Sequence, residues 1–197
     1  INRPYVMAAS THADEERRFA ESLCPLLKRH GYLLVIAPRH PERRNAILQQ
    51  LAKLSLNVAV RSRNDRITKE TDVYLLDSMG ELQRWFGGAA LVLIGGSWIP
   101  HGGQNILEPA RAGKAVITGP YMHNFAREIA DLTAYNAALQ LHNNAELVAA
   151  VERLLQQPQE AAVLGRNARE FMQDKTGVVD YYMQVLRKQP AFQQALK

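Results

Sequence analysis

Two glycine pairs, Gly95-Gly96 and Gly102-Gly103, follow an apolar run and precede a segment with helical character that begins at Asn105. Backbone N–H groups at the start of a helix are unpaired and carry partial positive charge, which favours a phosphate or a carboxylate. Glycine lets such an anion approach the backbone closely. The spacing differs from G-x-G-x-x-G, and it is not a P-loop because Gly113-Lys114 is followed by alanine. The segment therefore predicts an anion-binding loop of another type.

Asn105 and Glu108 occupy the predicted first turn of the helix after this loop. A carboxylate there complements the helix dipole, which is worth ~0.3–1 kcal/mol, and it can also accept hydrogen bonds from both hydroxyls of a ribose. Asn105 can cap the helix or donate its amide to a ligand oxygen. For both residues the structural and the ligand-binding interpretations stay open.

A second strand-to-helix turn has the sequence Asp77-Ser78-Met79-Gly80-Glu81-Leu82. Ser78 and Glu81 have the spacing of a capping box, in which each side chain bonds to the backbone N–H of the other residue. In the alternative interpretation, the free N–H groups of Met79 to Leu82 face a second part of the same ligand.

Arg39 follows an apolar segment within Pro38-Arg39-His40-Pro41. Proline fixes φ, so the two prolines are expected to hold the side chains between them at the edge of a sheet. A planar guanidinium there suits a phosphate or a carboxylate. A solvated surface arginine is the alternative.

Several other functional patterns are absent from the sequence. There is no H-E-x-x-H, no Cys/His ligand spacing and no Gly-x-Ser-x-Gly, and the single cysteine, Cys24, excludes an intrachain disulfide. The basic stretch from Arg61 to Lys69 contains no aromatic residue, which favours a solvated loop over a nucleic-acid surface. We therefore predict no metal site, no cofactor and no nucleic-acid partner, and we find no complete catalytic set.

The composition is that of an ordinary globular domain with an excess of basic residues. The chain has 197 residues, is 47% hydrophobic and carries a formal net charge of +5, which favours anionic partners such as nucleotides or phospholipid surfaces. No apolar run approaches the ~18 residues of a membrane-spanning helix, and the first residues do not resemble a signal peptide. The chain opens on Ile1 with almost no lead-in, so we expect it to be a domain of a longer protein.

Short apolar runs alternate with longer amphipathic segments along the chain. The runs that predict strands are Tyr5–Ala9, Tyr32–Ala37, Asn57–Arg61, Val73–Leu76, Leu91–Ile94, Ala115–Thr118 and Ala138–Leu141. The segments that predict helices are Asp14–His30, Glu42–Lys53, Glu81–Phe86, Asn105–Ala112, Ala126–Ala134, Asn144–Gln157, Gln159–Lys175 and Val178–Gln189. Pro25 lies inside the first helix and is expected to kink or split it.

Repeated strand–helix units of this kind predict an α/β domain with a doubly wound parallel sheet and right-handed crossovers. Ligands bind such sheets beyond the carboxyl ends of the strands. Ser10-Thr11-His12, the Arg39 segment, the Asp77–Leu82 turn and the glycine-rich loop all directly follow predicted strands. We therefore expect these four segments to form one ligand site.

These motifs resemble one family, the Kdo (3-deoxy-D-manno-octulosonic acid) transferases of lipopolysaccharide synthesis, in their C-terminal half. The order and spacing of the motifs match the family over about Val6 to Phe125. The residues that carry the resemblance are Ala8–His12, Ala37–Arg43, Asp77–Leu82, Gly95–Ser97, Pro100–Gly103, Asn105, Leu107–Ala110, Gly119-Pro120 and Asn124-Phe125.

The resemblance implies the C-terminal half of a GT-B glycosyltransferase, in which two Rossmann-like domains face each other across a cleft. Such an enzyme transfers Kdo from CMP-Kdo to a lipid A precursor (lipid IVA), with inversion and without a required bound metal. Residues 1–197 would be the donor-binding domain. The acidic catalytic base and the membrane anchor would belong to an N-terminal acceptor domain outside this chain, at the cytoplasmic face of the bacterial inner membrane.

The matching motifs also imply roles for single residues. Arg39 would face the phosphate and the nucleotide, and Asn105 and Glu108 would hold phosphate and ribose. Cytosine and phosphate would be held by Met79, Gly80, Glu81 and Leu82. The same cleft would be lined by Ser10, Ser97, Gly102 and Gly103, with His101 near the donor sugar. Gln104 stands where a histidine is common in the family, and Ile106 stands where a proline is common.

Two other functions are compatible with the residues. One is a GT-B transferase or an epimerase that uses a UDP-sugar, which competition between CMP and UMP would distinguish. The other is a non-catalytic nucleotide-binding or membrane-docking module, which would bind lipid vesicles even when saturated with nucleotide. Residues 178–197 are expected to form a crossover helix that reaches toward the other domain. The isolated chain is expected to bind CMP without transferring sugar.

Overall fold

The computed structural model describes residues 3–187, with side chains described for residues 3–173. The strands are β1 Tyr5–Thr11, β2 Leu33–Pro38, β3 Val58–Val60, β4 Val73–Leu75, β5 Ala89–Ile94, β6 Ala115–Thr118 and β7 Ala138–Gln140. They form one sheet in the order β3-β4-β2-β1-β5-β6-β7, and every adjacent pair is parallel. The predicted doubly wound parallel sheet is therefore confirmed, with strand ends within two residues of those predicted.

The helices connect these strands. They are α1 Glu15–Arg29, α2 Arg44–Ala52, α3 Leu82–Gly88, α4 Leu107–Arg111, α5 Ala126–Ala134, α6 Asn144–Gln156 and α7 Pro158–Arg187. Short 3₁₀ turns are formed by Pro41–Arg43, Arg61–Arg63 and His123–Phe125. The predicted helix over Glu42–Lys53 thus divides into a 3₁₀ turn and α2, because Pro41 opens a tight turn before regular helix begins.

Of the two effects expected of Pro25, a split does not occur, because α1 continues from Glu15 to Arg29 with Pro25 inside it, and a kink stays a prediction. Proline removes the hydrogen bond to the carbonyl four residues earlier, at Glu21. Pro25 and Glu21 are both exposed, so water can solvate the carbonyl that loses its partner.

The separation predicted between Gln159–Lys175 and Val178–Gln189 is also wrong, because α7 runs without interruption from Pro158 to Arg187. Gly177 lies between the two predicted segments, and a glycine within a helix costs ~1 kcal/mol relative to alanine but does not have to end the helix. Lys188 and Gln189 lie outside the described residues, and a crossover by residues 178–197 stays a prediction.

Both faces of the sheet are covered. Along β1, Val6 and Ala8 belong to one apolar cluster, and Tyr5 and Met7 belong to another on the opposite face. Helices α1 and α6 contribute to the first cluster, α3 and α5 contribute to the second, and α7 contributes to both. Each large apolar side chain buried in this way contributes ~1.5–3 kcal/mol relative to an exposed one.

The winding direction of the chain reverses at β1. The chain first moves from β1 to β2 and to the edge formed by β4 and β3, and then returns to β5 on the other side of β1. The carboxyl ends of β1 and β5 therefore border the crevice where open parallel sheets bind ligands.

Candidate functional site

The loops after β1 and β5 pack against each other at this crevice. A Cβ atom at Gly95 would lie 2.2 Å from the backbone oxygen of Ser10, so no larger residue fits where the two loops meet. At Gly102, where φ is +104°, a Cβ atom would lie 2.3 Å from the side chain of Asn124. The sequence interpretation assigned this free space to a ligand, but at these two positions atoms of the protein occupy it.

A buried carboxylate joins the two loops. One oxygen of Glu15 accepts hydrogen bonds from the N–H groups of His12 (2.9 Å) and Gly96 (2.7 Å), and the other accepts one from Trp98 (3.0 Å). The residue is 0% exposed, and this burial raises the pKa of Glu15 although the three N–H donors favour the charged form. Glu15 therefore fixes the glycine-rich loop relative to the end of β1.

The neighbouring acid, Glu16, is equally buried but pairs with side chains. Its two oxygens accept hydrogen bonds from the guanidinium of Arg43 at 2.8 and 3.2 Å, and one also accepts the Thr11 hydroxyl at 3.0 Å. Sequence reasoning missed both acids, since acids in a first turn usually complement the helix dipole. The available signal was two consecutive acids directly after a turn that follows a buried strand.

Five of the expected site residues line one pocket of about 120 Å³ at the carboxyl edge of the sheet. They are Ser10, Arg39, Met79, Gly80 and Leu82. The backbone N–H of Arg39 donates to the oxygen of Thr11 at 2.9 Å, which fixes the loop after β2 beside the end of β1. The Arg39 side chain is exposed and makes no hydrogen bond or ion pair with the described residues. It is therefore free to bind an anion.

Glu81 borders this pocket, but its carboxylate is already occupied. Arg61 donates two hydrogen bonds to it, at 3.0 and 2.9 Å, and the Ser78 hydroxyl donates another. The Arg61 guanidinium lowers the pKa of Glu81 to about 2. The structure shows no capping box here, because Ser78 bonds to the carboxylate and α3 begins only at Leu82.

Asp77 fixes the other end of the same turn. Its buried carboxylate accepts the backbone N–H of Ser62 at 2.9 Å and the Ser62 hydroxyl at 2.6 Å, and Arg44 lies 3.4 Å away. Both ends of the turn are thus anchored through carboxylates. Met79 between them is 72% exposed, so the middle of the turn remains open to a ligand.

Asn105 and Glu108 bond to each other. The Asn105 carbonyl oxygen accepts the N–H of Leu107 at 3.0 Å, and its amide donates to Oε1 of Glu108 at 3.0 Å. Asn105 therefore provides a hydrogen-bond acceptor for the first N–H group of α4. The helix begins two residues later than predicted. Glu108 lines a separate pocket of about 300 Å³ between α3 and α4, together with Gln83 and Arg111.

Ser97, another expected site residue, is buried and bonds to the protein's own backbone. It is 0% exposed, its hydroxyl donates to the backbone oxygen of Ile94 at 2.5 Å, and it accepts the N–H of Gly119 at 2.8 Å. It joins the ends of β5 and β6 and supports the loop from inside.

Imidazole rings cluster beside the Arg39 pocket. The ring of His12 lies 3.9 Å from that of His101 and 5.9 Å from that of His40, measured between centroids. Gln104 places its amide nitrogen 2.9 Å from Nε2 of His12. Burial and the neighbouring basic groups, His101 first among them, lower the pKa of His12 to about 4. Gly102 and Gly103 belong to the loop that carries His101.

A further cavity, of about 370 Å³, lies at the amino ends of β5 and β6. It is lined by residues that include Lys114, Arg166 and Arg169. Parallel sheets bind ligands at the opposite edge, so its size alone does not make it the ligand site.

Among the described side chains, those of residues 3–173, no cluster of three or more His, Cys, Asp or Glu could hold a metal ion. The described helices include none that combines the length and the hydropathy needed to cross a membrane.

No family model matches the chain, but curated proteins do. A 3-deoxy-D-manno-octulosonic acid transferase of Haemophilus influenzae is 35% identical over 188 residues, which cover 94% of this chain and 44% of that protein. The transferase of Rickettsia felis is 32% identical over 194 residues, which cover 95% of this chain and 41% of that protein. The chain thus spans less than half the length of these relatives.

Solved structures agree with this relation. The HepE protein of Anabaena in complex with UDP-glucose has a TM-score of 0.64 at 16% identity, covering 93% of this chain and 48% of that one, which shows a shared fold alone. The C-terminal CMP-Kdo binding domain of WaaA from Acinetobacter baumannii has a TM-score of 0.82 at 34% identity, covering 87% of this chain and 90% of that domain. The sequence resemblance is confirmed, and the chain belongs to the Kdo transferase family, in which it corresponds to the C-terminal, Rossmann-like domain of a GT-B fold.

Proposed function

We propose that this chain is the donor-binding domain of an inverting glycosyltransferase that transfers Kdo from CMP-Kdo to a lipid A precursor. The observation that carries the proposal is the Arg39 pocket, where an exposed guanidinium without a hydrogen-bond or ion-pair partner among the described residues lies beside an open turn. A guanidinium binds phosphate through two parallel hydrogen bonds. The relation to a domain described as CMP-Kdo binding supports CMP as the nucleotide.

The Met79–Leu82 turn contacts cytosine and phosphate mainly through its backbone. The carboxylate of Glu81 is held by Arg61 and Ser78, so it supports the turn and leaves the main chain to face the ligand. The exposed side chain of Met79 can then fold over the base. Base selectivity would follow, because backbone N–H and C=O groups distinguish the edges of cytosine from those of other bases.

Asn105 and Glu108 bind the ribose and the phosphate. Their mutual hydrogen bond uses Oε1 of Glu108 and leaves Oε2 for a ribose hydroxyl. Both pockets are lined by residues of α3, with Leu82 in the Arg39 pocket and Gln83 in the Glu108 pocket. One nucleotide would therefore contact both pockets.

The acceptor, the acidic catalytic base and the contact with the cytoplasmic face of the inner membrane are assigned to an N-terminal domain outside this chain. The 197-residue chain should therefore bind CMP and fail to transfer Kdo. Measurable transfer by the purified chain alone would contradict this division of roles.

The binding proposal is tested by calorimetric titration with CMP, UMP and AMP. We expect CMP to bind more tightly than the other two. Arg39→Ala should weaken CMP binding by about 10- to 150-fold, because a hydrogen bond to a charged group is worth ~1.5–3 kcal/mol. Arg63→Ala is the matched control, since Arg63 is also exposed but does not line the pocket.

Each other outcome selects a different function. Preference for UMP would indicate a transferase or an epimerase that uses a UDP-sugar, and equal binding of the three nucleotides would indicate a generic phosphate site. Binding to anionic lipid vesicles that persists at saturating CMP would indicate a membrane-docking module.

A further inference from the structure

Basic side chains crowd the crevice at the carboxyl ends of β1 and β2. His12 lies at the centre, with the ring of His101 at 3.9 Å on one side and the ring of His40 at 5.9 Å on the other. Arg39 and Arg43 add their positive charges to the electrostatic environment of His12. Two further imidazoles and two guanidiniums, from the segments after β2 and β5, thus surround the half-buried ring of His12.

The carboxylates near this cluster are already engaged. The two oxygens of Glu15 accept backbone N–H groups, including that of His12 itself. Glu16 forms two hydrogen bonds with Arg43, and Glu42 lies 3.3 Å from Nδ1 of His40. Within the described residues, no carboxylate forms a hydrogen bond or an ion pair with the ring of His12. Burial, together with the neighbouring basic groups of His101, His40, Arg43 and Arg39, lowers the pKa of His12 to about 4.

Gln104 can form a hydrogen bond with the His12 ring in either protonation state, because its amide holds both a donor nitrogen and an acceptor oxygen. In the structure the amide nitrogen lies 2.9 Å from Nε2 of His12, so the amide donates and the ring nitrogen accepts. That arrangement requires a neutral ring with its proton on Nδ1. Rotation of the amide by half a turn would present its oxygen to a protonated Nε2 instead, while the His12 ring and the rest of the Gln104 side chain stay in place.

We propose that His12, His101 and Gln104 form an anion subsite in which entry of the anion is coupled to protonation of His12. The anion supplies the missing counter-charge, the ring takes up one proton from solvent, and the Gln104 amide turns to accept the new N–H. This inference rests on the proposed function, in which the anion is either the nucleotide phosphate or the carboxylate of the sugar acid.

Histidine nitrogen shifts measured by NMR test the coupling, because they report the ring proton directly and do not depend on titration of the phosphate. An opposite charge at ~4–6 Å raises a pKa by about 1–3 units, so at pH 6 the His12 ring should change from neutral to roughly 10–90% protonated. One arm uses saturating CMP, and the other adds excess free Kdo to the CMP complex. The ring of His142, beyond β7, is the internal control and should not respond.

Each result has a definite meaning. Protonation with CMP alone assigns the phosphate to the subsite, and protonation only after Kdo is added assigns the carboxylate. If CMP binds and His12 stays neutral in both arms, the inference is overturned while the proposed function stands. If CMP does not bind, both are overturned.

Gln104→Glu gives an independent readout without ligand. A carboxylate facing Nε2 supplies an internal counter-charge, so His12 should be partly protonated at pH 6 before CMP is added, and the response to ligand should shrink. Gln49→Glu, at an exposed position on α2, adds the same charge elsewhere and is the matched control. A His12 ring that behaves identically in both variants would contradict the contact with Gln104.

Discussion

Two loops that face the candidate ligand are each held by a glutamate, in opposite ways. The glycine-rich loop after β5 is held by Glu15, which is 0% exposed and accepts only backbone N–H groups. The turn after β4 is held by Glu81, which is partly exposed and bonds to the side chains of Arg61 and Ser78.

The difference shows how burial decides what a carboxylate does. Desolvation raises the pKa of Glu15, whereas the Arg61 guanidinium lowers the pKa of Glu81 to about 2. A buried carboxylate cannot be replaced by water, so the N–H groups bonded to Glu15 depend on it. Water and salt screen the exposed pair formed by Glu81. The loop after β5 should therefore be rigid, and the turn after β4 adaptable.

Glu15→Gln should have the largest effect. The amide offers one acceptor oxygen instead of two and places an NH₂ group against a backbone N–H, so we expect a loss of about 2–4 kcal/mol in the free energy of unfolding. Urea unfolding measures it. Glu21→Gln, at an exposed position on the same helix, is the control. An equal loss in both variants would show that Glu15 does not fix the loop.

Glu16→Gln should follow, with a loss of about 1–2 kcal/mol. The amide can still accept one hydrogen bond from Arg43, and the Arg43 side chain is 23% exposed, so water can replace part of the lost contact. The same urea experiment measures this loss, with Glu42→Gln as an exposed control. A loss larger than that of Glu15→Gln would show that a buried carboxylate bonded to side chains contributes more to stability than one bonded to backbone N–H groups.

The contributions of Glu15 and Glu81 to the free energy of unfolding should change in opposite directions as pH falls. Because the folded chain holds a proton on Glu15 more tightly than the unfolded chain does, the stability of wild type relative to Glu15→Gln should increase as pH falls from neutral toward about 4.5. For Glu81 the stability relative to Glu81→Gln should instead decline as pH falls from about 4.5 toward about 2. Urea midpoints of the three proteins over pH 7 to 3 test this, and slopes of the same sign would contradict it.

Glu81→Gln should have the smallest effect at neutral pH. The low pKa of Glu81 suggests a larger contribution to stability than the pair with Arg61 makes, because solvent screens that pair. We expect an unfolding midpoint close to that of wild type but weaker CMP binding, since the turn loses an anchor. A loss of stability as large as that of Glu15→Gln would remove the distinction between the loops.

The fold could be predicted from the sequence because its signals are local. Short apolar runs such as Leu91–Ile94 are typical of strands buried on both faces, and their alternation with amphipathic segments indicates a doubly wound sheet. The residues of the Arg39 pocket could be predicted for the same reason. They directly follow strands, and open parallel sheets bind ligands at the carboxyl ends of their strands.

The remaining features depend on tertiary geometry. An acid in the first turn of a helix gives the same sequence pattern whether it faces solvent or, like Glu15, accepts hydrogen bonds from the backbone of a loop 81 and 83 positions away. The inward direction of the Ser97 hydroxyl and the contact between His12 and Gln104, 92 positions apart, likewise arise only when the loops pack together.

The most direct test of the central claim is a crystal structure of the chain with CMP. We expect the phosphate within hydrogen-bonding distance of the Arg39 guanidinium and the cytosine against the Met79–Leu82 turn. A nucleotide bound instead in the cavity at the amino ends of β5 and β6, beside Lys114 and Arg169, would contradict the account.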